Sequence, residues 1–162
     1  MNELTSPSEA SIKRWLIAEE AKRWLGHLSI LYRAPESGLT PEEGFDCSGF
    51  VRFILERTGI DLPPEIRHTN EFFDSFGVLV HFGLQKAGDF VFFSRSGTSP
   101  THMGIVISKT QYIHAPGTTN SRVEISELVQ KPIINLSDSV LYNVNPIGFK
   151  RYANSGGRWK II

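Results

Sequence analysis

One cysteine, Cys47, lies in the run Gly44-Phe45-Asp46-Cys47-Ser48-Gly49-Phe50-Val51, and two histidines follow it on apolar, β-branched segments. They are His102, in Thr101-His102-Met103-Gly104-Ile105-Val106-Ile107, and His114, in Tyr112-Ile113-His114-Ala115-Pro116. These residue types supply a nucleophile, a general base and a group to orient the base, in that order along the chain. The thiolate is the reactive form of cysteine, and a thiol of ordinary pKa, about 8.5, is only a few per cent ionised at neutral pH. A helix N-terminus and a neighbouring imidazolium would both raise that fraction, so the sequence predicts alkylation of Cys47 below neutral pH. His102 would take the thiol proton and return it to the leaving group, while His114 would hold the far ring nitrogen of His102. An oxyanion would be met by the backbone N–H of Cys47 and one further donor, for which the phenol of Tyr32 is the candidate. Other readings compete with this one. A lone cysteine is often a small buried hydrophobe, and a strand histidine often a satisfied structural residue. A zinc site built from Cys47, His102 and His114, with Asp46 or water as fourth ligand, lacks the paired-ligand spacing of recognisable zinc motifs.

The elements must bring these groups together. A helix from Asp46 or Cys47 to about Arg57 buries Phe50, Val51, Ile54 and Leu55 and stops at Gly59, which puts Cys47 in its first turn. Asp46 then reads as the N-cap. Two histidines twelve residues apart do not fit on one short strand. Two strands joined by a turn at Lys109-Thr110 would set them side by side, provided that both face the same side of the sheet. Strand patterns run from Val78 to Phe82, Asp89 to Ser94, Met103 to Ser108, Gln111 to His114, Arg122 to Ile125 and Val144 to Tyr152. Before them, Ser6-Pro7-Ser8-Glu9 reads as a capped start, with Ser6 as cap, of a helix from about Pro7 to Leu25 whose tryptophans, Trp15 and Trp24, are core. Arg33 to Gly44 is a Gly/Pro-punctuated loop, and a third helix spans Glu65 to Phe76 ahead of Gly77. Helices first and a mostly antiparallel sheet of about five to six strands afterwards is an α+β arrangement.

A chain of 162 residues, 40% hydrophobic, builds one core, and a monomer is expected. Seventeen basic and seventeen acidic side chains cancel, so no overall field draws nucleic acid or an anionic membrane. A single cysteine forms no internal disulfide. No secretion signal and no apolar run of membrane-spanning length is visible, which points to the cytoplasm or to delivery by a signal-independent route. His27, His68 and His81 read as surface or structural, Arg67 as a solvated charge, and the basic end of the chain as a polymer contact or a solvated tail.

Four ordered blocks, Asp46-Cys47-Ser48-Gly49-Phe50-Val51, Gly88-Asp89-Phe90-Val91-Phe92-Phe93, His102-Met103-Gly104-Ile105-Val106 and Ile113-His114-Ala115-Pro116, resemble the signatures of the NlpC family of bacterial cell-wall cysteine peptidases. The resemblance implies a compact papain-like fold, with Cys47, His102 and His114 as nucleophile, base and orienting residue. It places Asp46 and Ser48 where relatives bind the amine end of a stem peptide, a role that Asp46 would hold beside or instead of capping the helix, Tyr32 near the substrate, and Arg67 where relatives often carry a substrate-side arginine. The activity implied is hydrolysis between γ-D-glutamate and a diamino acid of peptidoglycan, without metal or organic cofactor. The same acyl-enzyme would serve an acyltransferase, and the same fold an inactive binding domain. The family's usual Tyr-x-Trp-Gly-Gly is here Tyr32-Arg33-Ala34-Pro35-Glu36, and Ser126 to Pro146 is longer than the minimal connection. The division implied is an extension over 1–31, a peptidase domain over 32–152 and a basic tail over 153–162.

Overall fold

A computed structural model describes residues 8–95, 97–128 and 146–153. Helix α1 spans Glu9–Arg23, and its cap is Ser8, whose extended backbone lets Oγ accept the Ser11 N–H at 3.1 Å. This corrects the predicted register: Glu9 is the first helical residue rather than the third, Trp24 closes the helix short of Leu25, and Ser6 and Pro7 lie outside the described residues. The buried stripe of α1 is narrow, consisting of Ile17, Ala18 and Ala21. Trp15 is therefore not core but 60% exposed, whereas Trp24 is half-buried, set edge-on to Phe45 and Phe53 with Nε1 donating to Glu20.

Strands β1 (Leu28–Ser29), β2 (Leu39–Thr40) and β3 (Gly44–Phe45) lead into helix α2, Cys47–Arg57, at the predicted place. Helix α3, Thr69–Ser75, starts later than expected: the Ile66 N–H closes a turn on Pro63 and His68 is extended, so residues 65–68 are not helical. There follow β4 (Val78–Val80), β5 (Phe90–Phe93), β6 (His102–Ser108), β7 (Gln111–His114), β8 (Ser121–Arg122), β9 (Glu124–Glu127) and β10 (Pro146–Arg151). Six of them form an antiparallel sheet in the order β4-β10-β5-β6-β7-β9. The run predicted as one strand at Arg122 to Ile125 divides at Val123, whose backbone bonds to Gly26 and His27. Its first half, β8, joins a second sheet, β2-β3-β1-β8, whose two-residue strands are too short to show alternation in sequence.

The α+β class is as expected, with helices against the sheet. Phe50, Ile54, Leu55, Phe72, Phe76, Phe90, Phe92, Ile105 and Ile113 fill the core between α2, α3 and one sheet face. Each buried side chain of this size contributes about 1.5–3 kcal/mol. Helix α2 packs directly on β6, which is what places the cysteine helix against the first histidine strand. No helix among the described residues is long and apolar enough to cross a membrane. The chain from Val129 to Asn145, most of the long connection, and residues 154–162 of the basic tail lie outside the described residues.

Candidate active site

Cys47 opens α2 because Asp46 caps it: extended at φ −82° and ψ 174°, Asp46 turns Oδ1 back onto the Gly49 N–H at 2.7 Å. Gly49 is required there, since a Cβ would stand 2.0 Å from the Gly38 carbonyl oxygen and 2.8 Å from Asp46 Oδ1. The thiol lies 3.5 Å from the Thr69 hydroxyl and takes hydrogen bonds from the backbone N–H groups of Met103 and Ser48. Burial pushes the Cys47 thiol up and Asp46 adds to this, against the Thr69 hydroxyl and the two N–H groups, which favour the thiolate. Removal from water therefore works against the depressed thiol pKa that the helix terminus alone would give.

The histidines meet as the strand argument requires. In the β6–β7 pair Ile105 stands opposite Ile113, so His102 and His114 share a face across the turn at Lys109-Thr110. His102 Nε2 and His114 Nδ1 are 2.7 Å apart, with the rings nearly perpendicular at 81°. Gly104 makes this approach possible, because a Cβ there would press on His114 Cβ at 3.0 Å and on the Tyr112 ring at 2.9 Å. The two nitrogens sit at hydrogen-bond distance, too close to share a zinc ion at the ~2.0 Å zinc–nitrogen distance of tetrahedral geometry. Both histidines are 2% exposed. Burial holds His102 well below the ordinary imidazole value, a positive charge on His114 acting in the same direction, and burial lowers His114 to about 4.

These shifts carry a stability consequence. The unfolded chain binds a proton on each histidine near pH 6.5 while folded His114 does so only near 4, so the unfolded state holds more protons between those values and stability falls as pH falls. His114 alone accounts for about 3 kcal/mol across that window. Urea midpoints are expected to drop steadily from pH 7 to pH 4.5. A His114→Asn protein should show a shallower drop, and equal slopes would refute the assignment.

Arg67, half-expected to be a solvated charge, is 5% exposed and organises the cysteine end of the site. Its five N–H donors make five bonds: Nε to the Pro35 carbonyl at 2.6 Å, Nη1 to Asp46 Oδ1 at 3.2 Å and to Ser48 Oγ at 2.9 Å, and Nη2 to Asp46 Oδ2 at 2.6 Å and to the Ser37 carbonyl at 2.7 Å. Arg67 thereby ties the loop before β2 to the cap of α2. Beside it a cleft of about 290 Å³ is lined by Tyr32, Asp46, Cys47, Ser48, His68 and Thr69, with Asn70, Pro100 and Thr101.

All four predicted residues on the cysteine side, Tyr32, Asp46, Cys47 and Ser48, therefore border one cavity. His102 and His114 lie in the sheet beside it, through Met103, whose N–H reaches the thiol. The Tyr32 hydroxyl lies 2.9 Å from His68 Nε2, and His68 Nδ1 lies 2.8 Å from Glu71 Oε1. A carboxylate only accepts, so neutral His68 carries its proton on Nδ1 and Nε2 receives the Tyr32 hydroxyl hydrogen. His68 is thus a cleft-wall residue, and Arg67, His68 and Thr69 are the site residues that sequence reasoning missed or underrated. A buried cap carboxylate demands a cation, which is the signal that would have singled out Arg67.

Comparison with known proteins matches residues 35–137 to the model of the NlpC/P60 family. The chain is 33% identical over 149 residues to the gamma-DL-glutamyl hydrolase of Bacillus subtilis (strain 168), covering 90% of this chain and 32% of that protein. It is 34% identical over 113 residues to the murein DD-endopeptidase MepS/murein LD-carboxypeptidase of Escherichia coli (strain K12), covering 69% and 53%. The chain thus spans about a third to a half of the length of these relatives. Among solved structures, the NlpC/p60 domain of the peptidoglycan hydrolase SagA superposes with a TM-score of 0.56 at 30% identity, covering 70% of this chain and 88% of that one. An NlpC/P60 family protein from Bacillus cereus ATCC 10987 gives 0.63 at 26% identity, covering 94% and 43%.

Proposed function

The chain belongs to the NlpC/P60 family, and from that premise we propose that it is a cysteine hydrolase of peptidoglycan stem peptides, acting between γ-D-glutamate and a diamino acid. The observation that carries the reading is the alignment of Cys47, at the head of α2, with β6 and the hydrogen-bonded pair His102–His114. The relatives named as a gamma-DL-glutamyl hydrolase and a murein endopeptidase support the substrate class.

The reaction follows from the residues. As Sγ of Cys47 attacks the amide carbon, the thiol proton passes to His102, and the carbonyl oxygen becomes an oxyanion facing the Cys47 backbone N–H. Burial disfavours both the thiolate of Cys47 and the imidazolium of His102 in the free site, which favours attack coupled to proton transfer over an ion pair formed beforehand. Collapse breaks the C–N bond, and His102 returns the proton to the leaving amine. Water then gives a proton to His102 as it attacks the thioester, and collapse breaks the C–S bond as His102 returns that proton to Sγ, releasing the thiol and the γ-glutamyl carboxylic acid, which loses its proton to solvent. Asp46 and Ser48 border the pocket for the peptide's amine end, with the carboxylate held in place by Arg67. Tyr32 forms the facing wall, its hydroxyl oriented by His68.

Purified muropeptides incubated with the protein should yield new termini at the γ-D-glutamyl bond by mass spectrometry, and none with Cys47→Ala. Cleavage at another bond would reassign the substrate, and transfer of the acyl group to an added amine in preference to water would make the protein a transferase. Absence of any Cys47-dependent product would defeat the reading.

A further inference from the structure

The orienting histidine is itself held from outside. His114 Nε2 faces β9, with Ser126 Oγ at 3.0 Å and Glu124 Oε1 at 3.4 Å. In the β7–β9 pair His114 stands directly opposite Glu124, and Tyr112 opposite Ser126, so all four side chains share one face. The ionisable groups around His114 are His102 from β6, Glu124 from β9 and the phenol of Tyr112 on its own strand.

While both rings are neutral, the 2.7 Å bond between them has two proton arrangements. In the first, His102 donates from Nε2 to His114 Nδ1, His114 carries its proton on Nε2, and Nδ1 of His102 holds the lone pair that takes the Cys47 proton. In the second, His114 donates from Nδ1, His102 carries its proton on Nδ1, and no lone pair remains there for the thiol. The Ser126 hydroxyl suits both arrangements, because it donates or accepts. The Glu124 carboxylate only accepts, so it suits the first alone. Resting on the cysteine hydrolase reading, we propose that Glu124 holds His114 in its Nε2–H tautomer and is thereby the positioning residue that makes Nδ1 of His102 the base.

The Glu124 side chain is 57% exposed, so its replacement leaves the fold intact and its effect on rate is modest. Glu124→Gln offers an amide N–H to His114 Nε2 and admits the unproductive tautomer, whereas Ser126→Ala leaves the carboxylate in place. Long-range proton–nitrogen spectra of ¹⁵N-labelled protein near pH 7 should show His114 protonated on Nε2 in the wild type and in Ser126→Ala, and shifted toward Nδ1 in Glu124→Gln. Glu124→Gln should lower kcat about three- to fivefold with KM unchanged. A wild-type His114 protonated on Nδ1, or a Glu124→Gln protein with unchanged tautomer and kcat, overturns the proposal. If the wild type hydrolyses no muropeptide, the hydrolase reading fails while the tautomer spectra still decide the part played by Glu124.

Discussion

Cys47→Ala is expected to lower kcat on a muropeptide roughly 10⁴-fold or more, to the level that substrate binding and the oxyanion donors alone provide. The folded state should survive, because Cys47 is only half-buried and its replacement removes a single sulfur atom at the edge of the cleft. The larger lesson lies in combination. Nucleophile and base act as a unit, so His102→Ala should cost about as much as Cys47→Ala, and the double variant little more than either. Initial rates with matched circular dichroism and thermal unfolding test this. If Cys47→Ala keeps more than about one hundredth of wild-type kcat, the bond is broken by another group and the assigned nucleophile is wrong. Additive losses would separate His102 from the thiol.

Arg67→Met is expected to destabilise the protein by about 3–5 kcal/mol, the cost of leaving one partner of a buried ion pair without its counter-charge. Asp46 is 2% exposed, and without Arg67 it keeps only the Gly49 N–H. The carbonyls of Pro35 and Ser37 lose their side-chain donor in the same step. Asp46→Asn combined with Arg67→Met should recover part of the loss, because no uncompensated charge is then buried. Arg67→Lys should recover little, since a single ammonium cannot reproduce five bonds in a fixed fork. Urea unfolding of the four proteins measures all of these effects. A loss below 1 kcal/mol in Arg67→Met would mean that the cluster is not what ties the loop before β2 to α2.

Much of this site was legible along the chain, and for a reason. Helix α2 and its Asp46 cap depend on contacts three or four residues apart, and the strands around His102 and His114 on a period of two, so both are local signals. The turn at Lys109-Thr110 then leaves little freedom in how the two histidines meet. The errors also have a common source. Apolar spacing places Trp15 in the core, but the residues of α1 that are buried are Ile17, Ala18 and Ala21, and which face is covered depends on residues far away in sequence. His68 carries no local pattern at all, and became a site residue only because α3 starts at Thr69 and turns it toward Tyr32.

By itself, then, the amino-acid sequence determined the candidate groups, their order and the elements that carry them, because residue chemistry and short-range periodicity are written in the chain. The tertiary structure alone decided their surroundings: a thiol pushed up by burial, two histidines held below their ordinary pKa, and a carboxylate matched by an arginine 21 residues away. Burial and long-range hydrogen bonds set proton affinities, and neither exists until the chain has folded.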